Sequence, residues 1–424
     1  MTGLGRSRTL GAGRHVPVLS SHDQPALDAL RAVGAMAVLV THVAFQTGAT
    51  QQGLAGAVAA RLDCGVAIFF VLSGYLLTSP HVKAAQRHVP SPAARRYLWH
   101  RALRILPAYW VACLAVVFFM PENRGVPAGT VLRNLALVQI YRRGDLLQGF
   151  TQTWSLATEA VFYLLLPALA TAMVVSLRRG RLASAVAVAT ALVAVNIGFI
   201  VVSQGTTLLD QSLTGFWLPS FTSWFAAGMA LAVVRWAGHP RLVQLRSLLD
   251  MTATAPLAWW TIAAGTLLVA STPVAGPLGF ESIPTPGQAI AKNVLYLVLA
   301  VCLAAPLVFG QTRPSVTARF LAKAPWRFAG EISYGVFLWH LLVLATVMRL
   351  LHVSLFGGQF WLVLVLTICG AAALAVASLF LVERPALRYR DQGPGRRPSQ
   401  PADASGAADG GAVATAANAD ATAS

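Results

Sequence analysis

Between Leu27 and Val382 the sequence returns repeatedly to apolar runs of about twenty residues, each long enough to cross the hydrocarbon core of a bilayer. No other feature narrows the fold as much. In lipid no water is at hand for stray backbone groups, so such runs become helices that close their own hydrogen bonds. The composition agrees: 56% of the 424 residues are hydrophobic and 11% are charged, against about 25% charged in ordinary soluble chains. The sequence predicts an all-α, polytopic membrane helix bundle.

Ten spans are expected, at 27–46, 62–79, 104–121, 156–176, 183–203, 215–236, 255–272, 288–309, 331–351 and 358–382. The apolar stretch 131–141 is too short to cross and reads as an interfacial or re-entrant piece. Basic residues set the orientation. Arg6, Arg8 and Arg14 precede the first span. Lys83, Arg87, Arg95 and Arg96 follow the second, and Arg178, Arg179 and Arg181 follow the fourth. Arg241 and Arg246 follow the sixth, Arg313, Arg319, Lys323 and Arg327 the eighth, and Arg388, Arg390, Arg396 and Arg397 the tenth. All fall on one side, which is therefore cytoplasmic. One opposite loop, 122–155, breaks the pattern with Arg124, Arg133, Arg142 and Arg143.

Residues 1–22 are polar and basic. They read as a disordered cytoplasmic N-terminus, not a cleavable signal, because the first apolar run is a full span. Residues 392–424 are rich in Gly, Ala, Pro, Ser and Asp and read as a disordered cytoplasmic tail. The membrane domain is then 23–391, multi-pass in the plasma membrane, with both termini inside the cell. The net charge of +17 does not point to nucleic acid, since no basic patch with interleaved aromatics stands in a soluble segment. Cys64, Cys113, Cys302 and Cys369 lie in or beside apolar runs, without CxxC or zinc spacing. They read as small buried hydrophobes, and no metal is expected.

The chemistry lies in the polar residues within the spans. RAVGAMAVLVTH carries Arg31 and His42 eleven positions apart. On a helix that is about three turns plus 20°, so both face one side, roughly 16 Å apart along the axis. A cation inside a span costs about 3 kcal/mol unless it faces protein or water. HRALRILPAYW adds Arg101 and Arg104, neighbours at i and i+3. Beyond anchoring a helix end, three guanidiniums at one depth would grip phosphates. In FFVLSGYLL, Ser73 and Gly74 interrupt an apolar span, which permits close approach of another helix or a ligand. TWSLATEAVFYLLLP places Glu159 and Tyr163 at i and i+4, the acid either a dipole-favoured residue near the helix start or a functional carboxylate. GEISYGVFLWH carries Glu331, Ser333, Tyr334 and His340. LFLVERPALRYR ends the last span, with Glu383 and Arg384 read as an interfacial pair and Pro385 as its stop.

Taken in order, these motifs resemble the integral-membrane acyltransferase-3 family, ten-helix O-acyltransferases that modify polysaccharides, peptidoglycan and natural products. The carriers are Arg31 with His42 (R-x10-H), FFVLSGYLL, Arg101 with Arg104 (R-x-x-R), WSLATEAVFY and ISYGVFLWH, and the likeness runs from about Leu27 to Pro385. The resemblance implies acyl-CoA as donor, with acetyl-CoA the default, entering from the cytoplasm, and an essential first-span histidine. The chain is expected to lack the SGNH-type esterase domain that some members of that family carry. The expected acceptor is the hydroxyl of a glycan, a lipid-linked intermediate or a small molecule.

With that donor, Arg31, Arg101 and Arg104 are expected to hold the CoA phosphates. The pantetheine arm would pass Ser73 and Gly74 and bring the thioester to His42, through a single tunnel. His42 would act as general base, or carry the acyl group itself. Glu159 would orient the imidazole or the acceptor, and Tyr163, Ser333 or Tyr334 would donate to the oxyanion. The rival readings are a transporter or flippase of a glycan or lipid-linked intermediate, a non-catalytic scaffold, and the other histidine-dependent class of membrane O-acyltransferases.

Overall fold

A computed structural model describes residues 24–205, 210–278, 283–310 and 314–392. The N-terminal residues 1–22 and the tail after 392 lie outside the described residues. Eleven helices carry the argument: α1 (Ala26–Gln46), α2 (Gly65–Gln86), α3 (Ala94–Phe119), α4 (Trp154–Val174), α5 (Ala183–Gly205), α6 (Thr222–Trp236), α7 (Pro240–Thr252), α8 (Pro256–Ala270), α9 (Pro286–Val308), α10 (Ala324–Leu350) and α11 (Phe360–Ser378). Among the described residues there is no strand. The chain is an all-α polytopic membrane bundle.

The number of crossings differs from the ten expected. Among the described residues eight helical stretches are long and apolar enough to cross a membrane, or nine if the α7–α8 pair, bent by 89°, counts as one. The expected spans at 215–236 and 255–272 are represented by α6 and α8, each of 15 residues. At 1.5 Å per residue such a helix covers about 22 Å, short of a hydrocarbon core of about 30 Å. Proline explains both cases. Pro219 falls inside the expected sixth span, so Leu218–Phe221 turns as a 3-10 segment and the α-helix starts only at Thr222. Pro256 opens α8 and Pro273 follows its end.

Local chemistry sets other boundaries. Thr285 and Gln288 form a reciprocal capping box at the start of α9, with bonds of 3.3 and 3.0 Å. Pro385 does not stop the last span. A π-turn at Leu379–Glu383 absorbs the irregularity and one further helical turn, Arg384–Leu387, follows. Nor do Glu383 and Arg384 pair with each other: buried Glu383 accepts from Ser378 (3.3 Å), while Arg384 reaches Glu331 on α10 (3.1 Å).

The core runs between α2, α4 and α6. Phe225 stacks on Phe70 at 4.5 Å and on Phe162 at 3.9 Å between ring centroids. α2 and α6 cross at Gly74 and Gly228: a Cβ on Gly74 would stand 2.3 Å from the Phe225 carbonyl oxygen, and one on Gly228 2.0 Å from that of Val71. Small residues thus let two backbones touch, as membrane helices require. Cys64, Cys113 and Cys302 are buried, whereas Cys369 is exposed on α11, against the expectation for it.

The long loop 120–153 is ordered by polar contacts. It contains the helix Ala128–Leu135 and a turn at Gln139–Tyr141, in place of the short apolar piece expected there. Buried Asp145 accepts from Arg133 and from Thr130 (2.8 Å), and its carboxyl lies below the usual carboxylate range, chiefly because of Arg133. Arg143 pairs with Asp210. Two of the four arginines that broke the charge pattern are thus paired with carboxylates. The loop ends deep in the bundle, where Gln152 donates 2.9 Å to the Leu338 carbonyl in the middle of α10.

Candidate active site

Five helices converge on an inner cavity of about 70 Å³. α1 supplies Arg31, α2 Ser73, α3 Arg101 and Arg104, α4 Glu159 and Tyr163, and α10 Ser333, Tyr334 and Phe337. Residues from positions 31 to 337 therefore meet in one place. With three guanidiniums and one carboxylate on the wall, the fixed charge of these groups is about +2. Ser73 donates to Glu159, tying α2 to α4. The Arg101 guanidinium lies 5.8 Å from the Tyr163 ring centroid, within cation–π range. Ser333 donates to the Gly330 carbonyl (2.7 Å), and Tyr334 donates across to Ile105 on α3 (2.9 Å). Gly74 does not line this cavity; it sits at the α2–α6 crossing.

His42 lines a second, outer cavity of about 480 Å³, within the usual range for small-molecule sites. Its walls mix aromatic rings (Trp154, Phe216, Phe221, Trp224) with Asp63, Lys292, Asn293 and Tyr296. Asp63 accepts from Lys292 (2.8 Å) and from the Tyr296 hydroxyl. Asn293 and Trp224 are spent on structure: Asn293 bonds Ser220 and Ser223, and Trp224 donates to the Asn293 carbonyl.

The imidazole of His42 is set by two contacts. Nδ1 lies 2.7 Å from the Val38 carbonyl, which can only accept, so Nδ1 carries the proton. His340 repeats the pattern, with Nδ1 2.7 Å from the Phe337 carbonyl. Its Nε2 is then an acceptor, 3.3 Å from Nδ1 of His42. Both rings thus carry a proton on Nδ1 in this network, and Nε2 of His42 is the nitrogen that can take a further proton when that ring is neutral. Among the described residues no group of three or more His, Cys, Asp or Glu side chains is arranged to hold a metal ion.

The comparisons bear on this geometry directly. The acyltransferase-3 profile, described as an acyltransferase domain, matches residues 24–380. The chain belongs to the acyltransferase-3 family. It is a multi-pass membrane acyltransferase, and transfer chemistry displaces the transporter reading. Nodulation protein 10 of Rhizobium leguminosarum bv. viciae is 27% identical over 354 residues, covering 77% of this chain and 82% of that one. The peptidoglycan O-acetyltransferase OatA of Listeria monocytogenes is 23% identical over 385 residues, covering 86% of this chain and 54% of that one. The chain thus spans about half the length of the Listeria enzyme. No solved structure gives a significant match.

Within this acyltransferase-3 protein, two expectations need correction. The guanidiniums and His42 line two cavities in place of one, and Phe337 stands in the wall of both. Phe337 meets Phe69 edge to face at 5.9 Å. Nor do Glu159, Tyr163, Ser333 and Tyr334 share a cavity with His42; all four line the arginine side. The carboxylate in the His42 cavity is Asp63. Asp63 and Lys292 were missed although each is an ionisable residue at the end of an apolar span, a signal in itself. His340 was visible as a polar residue on an apolar background, but no spacing rule ties it to a residue 298 positions away.

Proposed function

We propose that the protein transfers an acyl group, acetyl by default, from acyl-CoA to a hydroxyl of a carbohydrate or natural-product acceptor. Arg31, Arg101 and Arg104 hold the donor's phosphates at the inner cavity, and His42 acts in the outer one. The observation that carries this reading is the division of labour between the cavities: a cationic one on the side read as cytoplasmic, and a larger, polar and aromatic one around an imidazole whose Nδ1 is committed to the Val38 carbonyl. At about 70 Å³ the inner cavity is too small for a whole CoA, so the nucleotide lies at its mouth and only the narrow arm advances past Ser73.

In the transfer step, Nε2 of His42 takes the acceptor hydroxyl proton as the oxygen attacks the thioester carbon. The new C–O bond forms, the C–S bond breaks, and the CoA thiolate leaves with the proton that His42 gives back. Attack by His42 itself, through an acyl-imidazole, balances equally well and uses the same nitrogen. Glu159, held by Ser73 among the guanidiniums, serves the donor site by this reading, with Tyr163, Ser333 and Tyr334 shaping the passage for the arm. The arginine-rich loops support a cytoplasmic position for both termini.

The test uses the purified full chain with acetyl-CoA and a panel of sugars and oligosaccharides, following CoA thiol release and a gain of about 42 Da on the acceptor. His42→Gln should lose transfer by at least about a hundredfold while retaining its elution profile and its affinity for CoA. Near wild-type transfer by that variant would end the reading.

A further inference from the structure

We propose that Asp63 and Lys292 grip the acceptor in the outer cavity, binding the hydroxyl next to the one acylated and so setting which hydroxyl reaches His42. This rests on the outer cavity being the acceptor site. Asp63 comes from the turn Arg61–Cys64 that leads into α2; Lys292 comes from α9, with Tyr296 four residues on and on the same face. The Lys292–Asp63 bond is 2.8 Å, yet the two side chains remain 35% and 40% exposed, and both line the cavity. The pair is thus open to the cavity, where a ligand can reach both charged ends. A neighbouring tie already exists: buried Arg61 donates 2.5 Å to the Gly276 carbonyl in the segment that leads to α9.

Counting lone pairs and protons shows what the open pair can take. A carboxylate accepts about four hydrogen bonds, and an ammonium donates about three. Asp63 uses one acceptor position for Lys292 and one for Tyr296, and Lys292 uses one donor for Asp63. The remaining capacity is an acceptor beside a donor, which suits a hydroxyl that gives a proton to one and takes one from the other. The pair's net charge is near zero, so it does not select anions as the inner cavity does. Trp154 and Phe216, with ring centroids 5.1 Å apart and planes tilted by 35°, add an aromatic wall for the C–H face of a ring. The ligand class that uses all of these features is a neutral ring with neighbouring hydroxyls.

The experiment measures transfer from acetyl-CoA to chitotetraose and to methyl α-D-glucopyranoside with its monodeoxy analogues. It uses the purified full chain as wild type, Asp63→Asn and Lys292→Met. Expected are a rise of about tenfold or more in acceptor KM, acetyl-CoA KM within about twofold, and a spread of acetyl positions by NMR. The penalty from Asp63→Asn should vanish for the one deoxy sugar that lacks the gripped hydroxyl. Unchanged acceptor KM and positions, or an equal rise in both KM values, would overturn the assignment. Aggregation of both variants would do the same, because it would make the pair a structural tie. Failure of the wild type to acetylate any sugar in the panel would instead remove the acceptor reading on which the proposal stands.

Discussion

Nε2 of His340 lies 3.3 Å from Nδ1 of His42, and each ring also holds its Nδ1 2.7 Å from a carbonyl of its own helix. Two rings 298 positions apart thereby fix the proton on Nδ1 of His42 and leave Nε2 as the nitrogen proposed to act on the acceptor. His340 is fully buried on α10 and lines neither of the two cavities, so its influence passes through His42. His340→Ala should lower kcat about tenfold, equivalent to ~1.4 kcal/mol in the barrier, with both KM values little changed. His340→Gln, whose amide oxygen can accept the same proton, should recover most of that loss. Steady-state kinetics on the three proteins decide it; equal losses in the Ala and Gln variants would leave His340 a packing residue.

Arg101 separates the donor's two ends. If it binds phosphate, Arg101→Ala should raise the KM for acetyl-CoA about tenfold, in line with loss of a charge-assisted hydrogen bond. For S-acetylpantetheine, which has the arm and thioester but no nucleotide phosphates, the same change should have little effect. Comparable losses with both donors would assign Arg101 to the arm or to the helix packing.

Much of the inner site is legible in the sequence, because a polar residue in an apolar span is conspicuous and helical spacing tells which neighbours share a face. Arg101 and Arg104, or Glu159 and Tyr163, can be paired in this way, and they do meet in one cavity. What spacing cannot supply is the relation between helices. Arg31 and His42 share one unbroken helix at the expected separation, yet they line two cavities, with Phe337 of α10 in the wall of both. Phe69 and Phe337 are apolar residues in apolar runs, indistinguishable by pattern from lipid-facing ones. The span count differs for another reason. Hydropathy is blind to where a helix starts, and Pro219 and Pro256 set those starts.

Gly74 belongs to the architecture in this structure, and its substitution should read out as such. A methyl group there would need the α2 and α6 backbones to part, since its nearest neighbour is a carbonyl oxygen at 2.3 Å and no flexible side chain can yield. Overpacking of this kind costs about 1–3 kcal/mol. Gly74→Ala should therefore lower the thermal midpoint and the yield of monodisperse protein in detergent. The fraction that folds should bind acetyl-CoA with a near-normal KM. A normal melting profile combined with a strongly raised donor KM would return Gly74 to the donor site.

Phe337 is the residue on which the two-cavity arrangement turns. It lines both the arginine cavity and the His42 cavity, and it packs against Phe69 at 5.9 Å and against the His340 ring at 5.9 Å. If the acyl group of the proposed transfer travels from one cavity to the other past this ring, the ring must move aside for the arm, and when closed it would keep water in the outer cavity from the thioester. Phe337→Ala would remove the partition, but Phe→Ala changes in a core cost about 3–5 kcal/mol, so Phe337→Leu is the better variant. It should raise acetyl-CoA hydrolysis in the absence of acceptor several-fold while lowering transfer when acceptor is present. The ratio of the two rates is the decisive quantity, because simple loss of folded protein lowers both together. An unchanged ratio would mean that the arm reaches His42 by a route that does not pass Phe337.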